Sequence, residues 1–171
     1  MSGSPGAGPT RALSDAAQRV QDAIAALGFA NRVIELGEPV KTSQAAADAV
    51  GCTVAQIVKS LVFLIAAGVR EGAPLLVLAS GADRIDVARL AALVGAEVTM
   101  ADPKFVRAVT GFAIGGIPPL GHAQPIEVLI ERRLLAQPAL WAAAGHPNSL
   151  FPLTPQELVA MTNGRVAEMA L

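Results

Sequence analysis

Short helix signals, each opened by a capping residue, alternate with short apolar runs along this chain. Ser14 can cap a helix that runs to Leu27 and ends at Gly28. Val20 and Ile24 supply apolar side chains at helical spacing within that helix. The other predicted helices start at Thr42 or Ser43 and end at Gly51, start at Thr53 and end near Gln56, start at Asp86 and end at Gly95, start at Asp102 and end at Gly111, or start at Thr154.

Strand-like runs lie between these helices. Early runs alternate with helices, whereas later runs follow one another more closely. This mixture predicts an α+β fold with a mixed, largely antiparallel β-sheet that is curled toward a barrel and flanked by helices. The predicted strands are residues 32–36, 60–65, 74–79, 97–100, 111–114, 126–131, 149–153 and 165–169.

The length of 171 residues predicts one domain, which we place at residues 13–171. Residues 1–12 are rich in Ser, Gly, Pro and Ala and are predicted to be a flexible leader. Residues 1–10 have neither the positively charged flank nor the apolar segment of a signal peptide. The longest apolar run, residues 61–67, is far shorter than the ~20 residues of a membrane-spanning helix, so no membrane segment is predicted.

The net charge and the cysteine content limit the classes of function that this chain can have. The chain has 13 Lys and Arg residues against 14 Asp and Glu residues, for a net charge of −1. Proteins that coat nucleic acid are normally basic, so any contact with nucleic acid is predicted to be short. Cys52 is the only cysteine, which excludes an internal disulfide and fits a cytoplasmic location. We interpret it as a small buried side chain rather than a nucleophile.

Several catalytic motifs are absent from the sequence. It contains no P-loop, no dinucleotide-binding glycine fingerprint, no nucleophile elbow and no Cys/His metal cluster. His122 and His146 are the only histidines, and they are far apart in sequence. Metal-dependent chemistry and a Ser-His-Asp triad are therefore not predicted.

Lys59 is the first candidate for chemistry, because it interrupts a nearly apolar stretch. In a strand, the period of two places Lys59 on the same face as Leu61 and Phe63. An ammonium at the mouth of an apolar face is costly without an anion, so a ligand phosphate or carboxylate is a natural partner. The alternative is a lysine at a strand end whose stem packs while its ammonium reaches water.

A glycine-proline loop from Gly115 to Gly121 is the second candidate. Gly115 and Gly116 permit positive φ and close approach of a ligand, while Pro118 and Pro119 stiffen the next turn. Unpaired N–H groups in such a loop can hold a carbonyl oxygen as it becomes an oxyanion. The alternative is an ordinary tight loop between strands.

The third candidate is the segment from His146 to Ser149, whose polar side chains can bind substrate or water. Histidine can also act as a base, although the sequence identifies no carboxylate to orient it. A surface turn explains the same residues. A further polar group after the strand at 74–79 consists of Asp83, Arg84 and Asp86, and helix capping by Asp86 explains a large part of it.

These features occur in an order that resembles the YbaK/ProX family of free-standing and synthetase-appended editing domains. The resemblance covers residues 42–171, about three quarters of the chain. Its motifs are the stretch A-A-D-A-V-G-C-T-V-A-Q-I-V-K-S-L-V-F around Lys59, the strand 75–79 followed by Gly81, Asp83, Arg84 and Asp86, the loop T-G-F-A-I-G-G-I-P-P-L-G at 110–121, and the Gly145–His146 turn.

The resemblance implies a pocket between the lysine and the glycine-proline loop, and water attack on the ester of a small amino acid mischarged on tRNA, often proline tRNA. It implies no metal or organic cofactor. The implied partner is the acceptor end of aminoacyl-tRNA, with an aminoacyl-tRNA synthetase as a second candidate partner and no membrane. The implied catalytic residues are Lys59, Gly116, Ile117, Pro118 and Pro119, and the implied substrate-binding residues are Asp83, Gly115, Gly121, His146 and Asn148.

Three departures from the family pattern leave the amino-acid specificity open. Ser60 stands where many relatives have threonine, Ile114 stands where the cysteine-editing branch has arginine, and Asn148 follows His146 more closely than in the alanine-editing branch. Two other functions also stay open. One is a module that binds an aminoacyl group or nucleotide without hydrolysis, and the other is an enzyme for a small acylated metabolite.

Overall fold

Every α-helix begins at a capping residue that the sequence predicts. The computed structural model describes residues 12–171, so the predicted leader lies almost entirely outside the described residues. Thr42, for example, accepts a hydrogen bond from Ala45 N–H, and Thr154 forms a capping box with Glu157. The helices are α1 (Asp15–Ala26), α2 (Ser43–Val50), α3 (Val87–Val94), α4 (Pro103–Thr110) and α5 (Pro155–Thr162), with 3-10 helices at Val54–Gln56 and Arg132–Ala136.

The eight strands form one mixed sheet in the order β1-β7-β6-β2-β3-β5-β8, with β4 paired to β2. Three of the pairings are parallel, β2–β6, β3–β5 and β5–β8, and the others are antiparallel. This confirms the predicted α+β class. Among the described residues no pairing joins β1 to β8, so the sheet is open. The strands are β1 (Ile34–Glu35), β2 (Ile57–Ile65), β3 (Pro74–Ser80), β4 (Val98–Met100), β5 (Glu127–Glu131), β6 (Leu140–Ala143), β7 (Ser149–Leu153) and β8 (Arg165–Ala167).

Two local predictions were wrong. Residues 111–114 form a loop rather than a strand, because Gly111 ends α4 in the left-handed conformation and the Phe112 N–H donates to the Thr110 hydroxyl at 3.0 Å. Phe112 then packs in the core instead of pairing with a neighbouring strand. Strand β6 was not predicted, since two of its four residues are alanine, which is depleted in strands, and none is β-branched.

Both faces of the central strands are covered. On β2, Val58 and Val62 pack in the main core with α1, α4 and α5, whereas Phe63 and Ile65 pack in a second cluster with α3. Strand β3 alternates in the same way and is buried along almost its whole length. The alternation places Lys59 at the start of the face that carries Phe63 and Ile65, as the period of two predicts.

Strand β2 has an interrupted second edge. One edge pairs with β3 from Val58 to Leu64. On the other edge, Val58 pairs with β6 and Phe63 pairs with β4. Within residues 12–171, positions 59–62 therefore have no strand partner on that edge, and the Val62 carbonyl accepts a 3.1 Å hydrogen bond from the Ala101 N–H instead.

The loop after β3 is tied to the C-terminal segment. Glu131, which is 2% exposed, accepts hydrogen bonds from the Ala170 N–H at 2.8 Å and from the Met169 N–H. Ala170 in turn forms a β-bridge with Ile85. These bonds fix the position of the loop that contains Asp83, whose backbone carbonyl contacts Lys59. No helix within residues 12–171 is long and apolar enough to cross a membrane.

Candidate active site

A cavity of about 180 Å³ opens where four elements converge at the start of β2. It brings together four of the residues expected from the sequence, Lys59, Gly115, Ile117 and His146. The remaining wall comes from the start of α2 and from β7. The lining includes Thr42, Ser43 and Ala46 of the α2 region, Ile57 and Ser60 of β2, and Ser149 and Leu150 of β7.

Lys59 is half-buried, and its ammonium donates a hydrogen bond to the backbone carbonyl of Asp83. Burial lowers the pKa of Lys59 by desolvating the charged form, an effect that the Asp83 carboxylate opposes and the Arg84 guanidinium reinforces. The Asp83 carboxylate itself pairs with Arg133 at 2.9 Å. Asp83 thus contacts Lys59 through its backbone and does not line the cavity.

The two glycines of the loop have different tasks. Gly115 has φ of +98° in a β-turn closed by a 3.1 Å bond from the Gly116 N–H to the Ala113 carbonyl. The Gly116 N–H is therefore occupied and is not the free oxyanion donor that the loop was expected to supply. The Ile117 N–H forms no hydrogen bond with any residue in the described range, and Ile117 lines the cavity.

Gly116 joins its loop to the His146 turn. Its carbonyl accepts a 2.8 Å hydrogen bond from the Gly145 N–H. A Cβ at residue 116 would lie only 2.8 Å from the His146 backbone nitrogen. The two turns touch backbone to backbone because no side chain separates them.

The second half of the glycine-proline loop turns away from the cavity. Pro118 is buried, and its carbonyl accepts a hydrogen bond from His122 Nε2 at 2.8 Å. Pro119 and Gly121 line a separate depression between α1 and α5. Burial also lowers the pKa of His122, with the Pro118 carbonyl opposing the shift. The structure therefore does not bring Pro118, Pro119 or Gly121 to Lys59.

Asn148 orients His146 from behind. The Asn148 side-chain N–H donates to the Leu36 carbonyl at 3.3 Å, which directs the amide oxygen toward His146 Nδ1. The Asn148 backbone N–H also lies 3.4 Å from His146 Nδ1, so Asn148 contacts the ring on its Nδ1 side and leaves Nε2 on the other side of the ring. Asn148 does not line the cavity, whereas His146 does.

Ser149, which belongs to the third candidate segment, and Glu35, which the sequence did not indicate, extend this network. The buried Ser149 hydroxyl lies 3.3 Å from Glu35 Oε1, which also accepts the Ser14 N–H at 2.7 Å. The Ser14 N–H is the main cause that lowers the pKa of Glu35, against burial, with smaller contributions from Ser149 and His146. Glu35 comes from the two-residue strand β1, which pairs with β7, and no local motif marks it.

Protonation of Glu35 is expected to weaken the fold. The folded pKa lies below the ordinary glutamate value, so the carboxylate stabilises the protein above that value. The stabilisation is lost as the pH falls through the lower folded pKa. Thermal unfolding from neutral pH to about pH 3 should therefore show a larger loss for wild type than for Glu35→Gln. Parallel curves for the two proteins would contradict this expectation.

Gly81 allows α2 to approach the end of β3. A Cβ at Gly81 would lie 2.6 Å from the Ser43 Cβ and 2.7 Å from the Val54 carbonyl oxygen. The Gly81 N–H donates to the Ile57 carbonyl at 2.7 Å. This close contact brings Ser43 to the cavity wall, a role that sequence analysis did not assign to it.

Comparison with known proteins identifies relatives along the same region. A family model, the aminoacyl-tRNA editing domain, matches residues 37–161. The "Uncharacterized protein YwhH" of Bacillus subtilis (strain 168) is 32% identical over 137 residues, which are 80% of this chain and 84% of that protein. The "Putative Cys-tRNA(Pro)/Cys-tRNA(Cys) deacylase EbsC" of Enterococcus faecalis is 26% identical over 129 residues, 75% of this chain and 76% of that protein.

Two solved structures share the fold over nearly their whole length. One, described as a "putative trans-editing enzyme for prolyl tRNA synthetase", has a TM-score of 0.87 and 44% identity, and the match covers 94% of this chain and 99% of that one. The other, "hypothetical protein APE2540", has a TM-score of 0.82 and 29% identity, with coverage of 90% and 99%.

Proposed function

Because this chain belongs to the aminoacyl-tRNA editing domain family and is an aminoacyl-tRNA deacylase, we propose that the cavity at Lys59 is its active site. The substrate is a tRNA that carries a wrong, small amino acid, and proline tRNA is the first candidate for that tRNA. The observation that supports this most is the joint placement of Lys59, Ile117 and His146 around one cavity, where the Ile117 N–H has no hydrogen-bond partner among residues 12–171.

The size of the cavity favours a small aminoacyl group. Its volume is about 180 Å³. Ala46, Ile57 and Leu150 supply apolar wall, whereas Ser60 and Ser149 supply hydroxyl groups. A short side chain with or without one polar atom fits such a lining better than an aromatic or long charged one.

Each polar group has a proposed task in ester hydrolysis. Lys59 exchanges the Asp83 carbonyl for an anionic group of the acceptor end, and the Ile117 N–H donates to the ester carbonyl oxygen. His146 Nε2 accepts a hydrogen bond from the attacking water. The water oxygen bonds to the carbonyl carbon, the bond to the ribose oxygen breaks, and that oxygen takes up a proton. The products are the free amino acid and intact tRNA.

The description of the 44% identical structure, a putative trans-editing enzyme for prolyl tRNA synthetase, suggests which synthetase produces the mischarged tRNA. We propose that the chain acts in trans on tRNA mischarged by a prolyl-tRNA synthetase, in the cytoplasm, where translation consumes that tRNA. A direct contact with the synthetase would be shown by faster deacylation in its presence.

A panel of mischarged tRNAs tests the proposal. The purified protein should release alanine, cysteine or serine from proline tRNA, and correctly charged prolyl-tRNA is the matched control that should be spared. Release is measured as loss of acid-precipitable labelled amino acid. Binding of mischarged tRNA without ester loss would instead indicate a non-catalytic module. Hydrolysis of small acylated metabolites that intact tRNA does not inhibit would point to a different substrate class.

A further inference from the structure

The second half of the glycine-proline loop is buried with very few hydrogen bonds. Residues 117–120 are all buried. Pro118 and Pro119 have no N–H, and the N–H groups of Ile117, Leu120 and Gly121 donate to no residue in the range 12–171. Of the five carbonyls at 117–121, only that of Pro118 accepts a hydrogen bond from a described residue. Buried backbone groups are normally paired, so the conformation of this segment depends strongly on that bond.

His122 supplies the bond from the end of the same loop. Its Nε2 lies 2.8 Å from the Pro118 carbonyl oxygen. A carbonyl oxygen can only accept, so Nε2 carries a proton and donates it. Burial of the ring lowers the pKa of His122, which favours the neutral imidazole with its one proton on Nε2.

The backbone that carries His122 is held by α1 and α4. The Ala123 N–H donates to the carbonyl of Thr110, the last residue of α4, at 2.9 Å. Gly121 has φ of +79°, and a Cβ there would lie 3.2 Å from the Ala23 Cβ on α1. His122 therefore reaches back to Pro118 from a backbone position that two helices determine.

The Pro118 carbonyl is close in the chain to the N–H that faces no partner at the cavity. Ile117 lines the cavity and directly precedes Pro118. The proline ring locks φ at residue 118, so few free backbone torsions separate the Pro118 carbonyl from the Ile117 N–H. On the other side, the Gly116 carbonyl accepts the Gly145 N–H at 2.8 Å. Ile117 thus lies between two carbonyls that hydrogen bonds hold in place.

We propose that His122 is a positioning residue: its Nε2–H holds the Pro118 carbonyl and thereby keeps the Ile117 N–H in place to donate to the ester carbonyl oxygen. The inference rests on the proposed function. His122 acts through the loop, because its ring lines the depression between α1 and α5 and not the cavity. A donor to a developing oxyanion stabilises the transition state more than the bound ester, so its misplacement should lower kcat and leave KM nearly unchanged.

Substitutions at residue 122 separate the hydrogen bond from the bulk of the ring. His122→Phe keeps a ring that cannot donate, whereas His122→Gln has an amide N–H at a similar reach. His122→Phe should lower kcat on mischarged tRNA about tenfold with KM within about twofold of wild type, and His122→Gln should recover most of that loss. Thermal unfolding checks the fold, and the smaller His122→Leu gives the same comparison if the phenylalanine ring disturbs the packing.

Gln124→Ala is the matched control. Gln124 is exposed and lines the same depression as His122. Its substitution changes that surface without removing the bond to Pro118, so kcat and KM should stay at wild-type values. A similar fall in kcat for the control would mean that the depression as a whole, and not the His122 hydrogen bond, affects the reaction, which would overturn the inference.

The amide resonance of Ile117 reports its position without any substrate. In nitrogen-correlated amide spectra of isotopically labelled protein, this resonance should shift in His122→Phe and stay near its wild-type position in His122→Gln. An unmoved resonance in His122→Phe, wild-type kcat in that variant, or an equal loss of kcat in His122→Gln would overturn the inference. If wild type hydrolyses no mischarged tRNA, the proposed function fails, whereas the amide spectra still decide whether His122 fixes Ile117.

Discussion

Lys59→Met is expected to lower kcat/KM for deacylation by one to two orders of magnitude while the protein stays folded. Methionine keeps a stem of similar length against the apolar face of β2 but removes the ammonium. Loss of one charge-assisted contact to the substrate costs ~2–3 kcal/mol, which gives that range of rates. Steady-state deacylation of mischarged tRNA measures the effect.

Stability distinguishes this role from a structural one. The pKa of Lys59 is lowered chiefly by burial, so the folded protein holds the proton less tightly than the unfolded chain does. Wild-type stability should therefore rise as the pH increases from the folded pKa toward the ordinary lysine value, and Lys59→Met should lack that rise. Lys59→Arg retains the charge and should keep more activity than Lys59→Met. Near-wild-type turnover by Lys59→Met would rule out the substrate contact.

Gly116→Ala is expected to reduce both activity and stability. The added Cβ would lie 2.8 Å from the His146 nitrogen and 2.9 Å from the Gly145 carbonyl carbon, and both are backbone atoms that no rotamer change can move. The 145–148 turn must shift, which separates His146 from Ile117. Overpacking of this kind costs ~1–3 kcal/mol in stability, and the displaced site should lose at least about tenfold in kcat/KM.

Gly37→Ala is the matched control for this substitution. A Cβ at residue 37 meets no atom within 4 Å, and neither Gly37 nor Gly116 has positive φ. The control should therefore retain activity and midpoint of chemical denaturation, which isolates the effect of contact at residue 116. If Gly116→Ala also matched wild type in both measurements, the joined turns would not determine the geometry of the site.

Helix positions were predictable because their signals are local. Thr42 and Gly51 bound α2 through hydrogen bonds and backbone angles that involve a few neighbouring residues. Strands depend on partners distant in sequence, so the alanine-rich β6 was missed. Residues 111–114 look like a strand by composition, yet Phe112 is drawn into the core by contacts from elsewhere in the fold.

The residues of the candidate site that could be predicted are likewise those with a local signal in the sequence. Lys59 and His146 stand out in sequence because each is a polar residue in an unusual local setting. Glu35 does not, since its hydrogen bonds reach Ser14 and Ser149 from other parts of the chain. The resemblance implied that the whole glycine-proline loop lies at the site. In the structure Ile117 lines the cavity, whereas Pro119 lines a different depression.

The interrupted edge of β2 leaves backbone groups of a central strand without a strand partner beside the cavity. Backbone amides and carbonyls at residues 59–61 that point toward the interruption need partners other than a strand. Lys59 and Ser60 also line the cavity, so these groups lie beside the proposed reaction centre. Water is the expected partner for such groups beside a cavity, and a hydrolase consumes one water molecule per turnover, so the interruption lies where that reactant is needed.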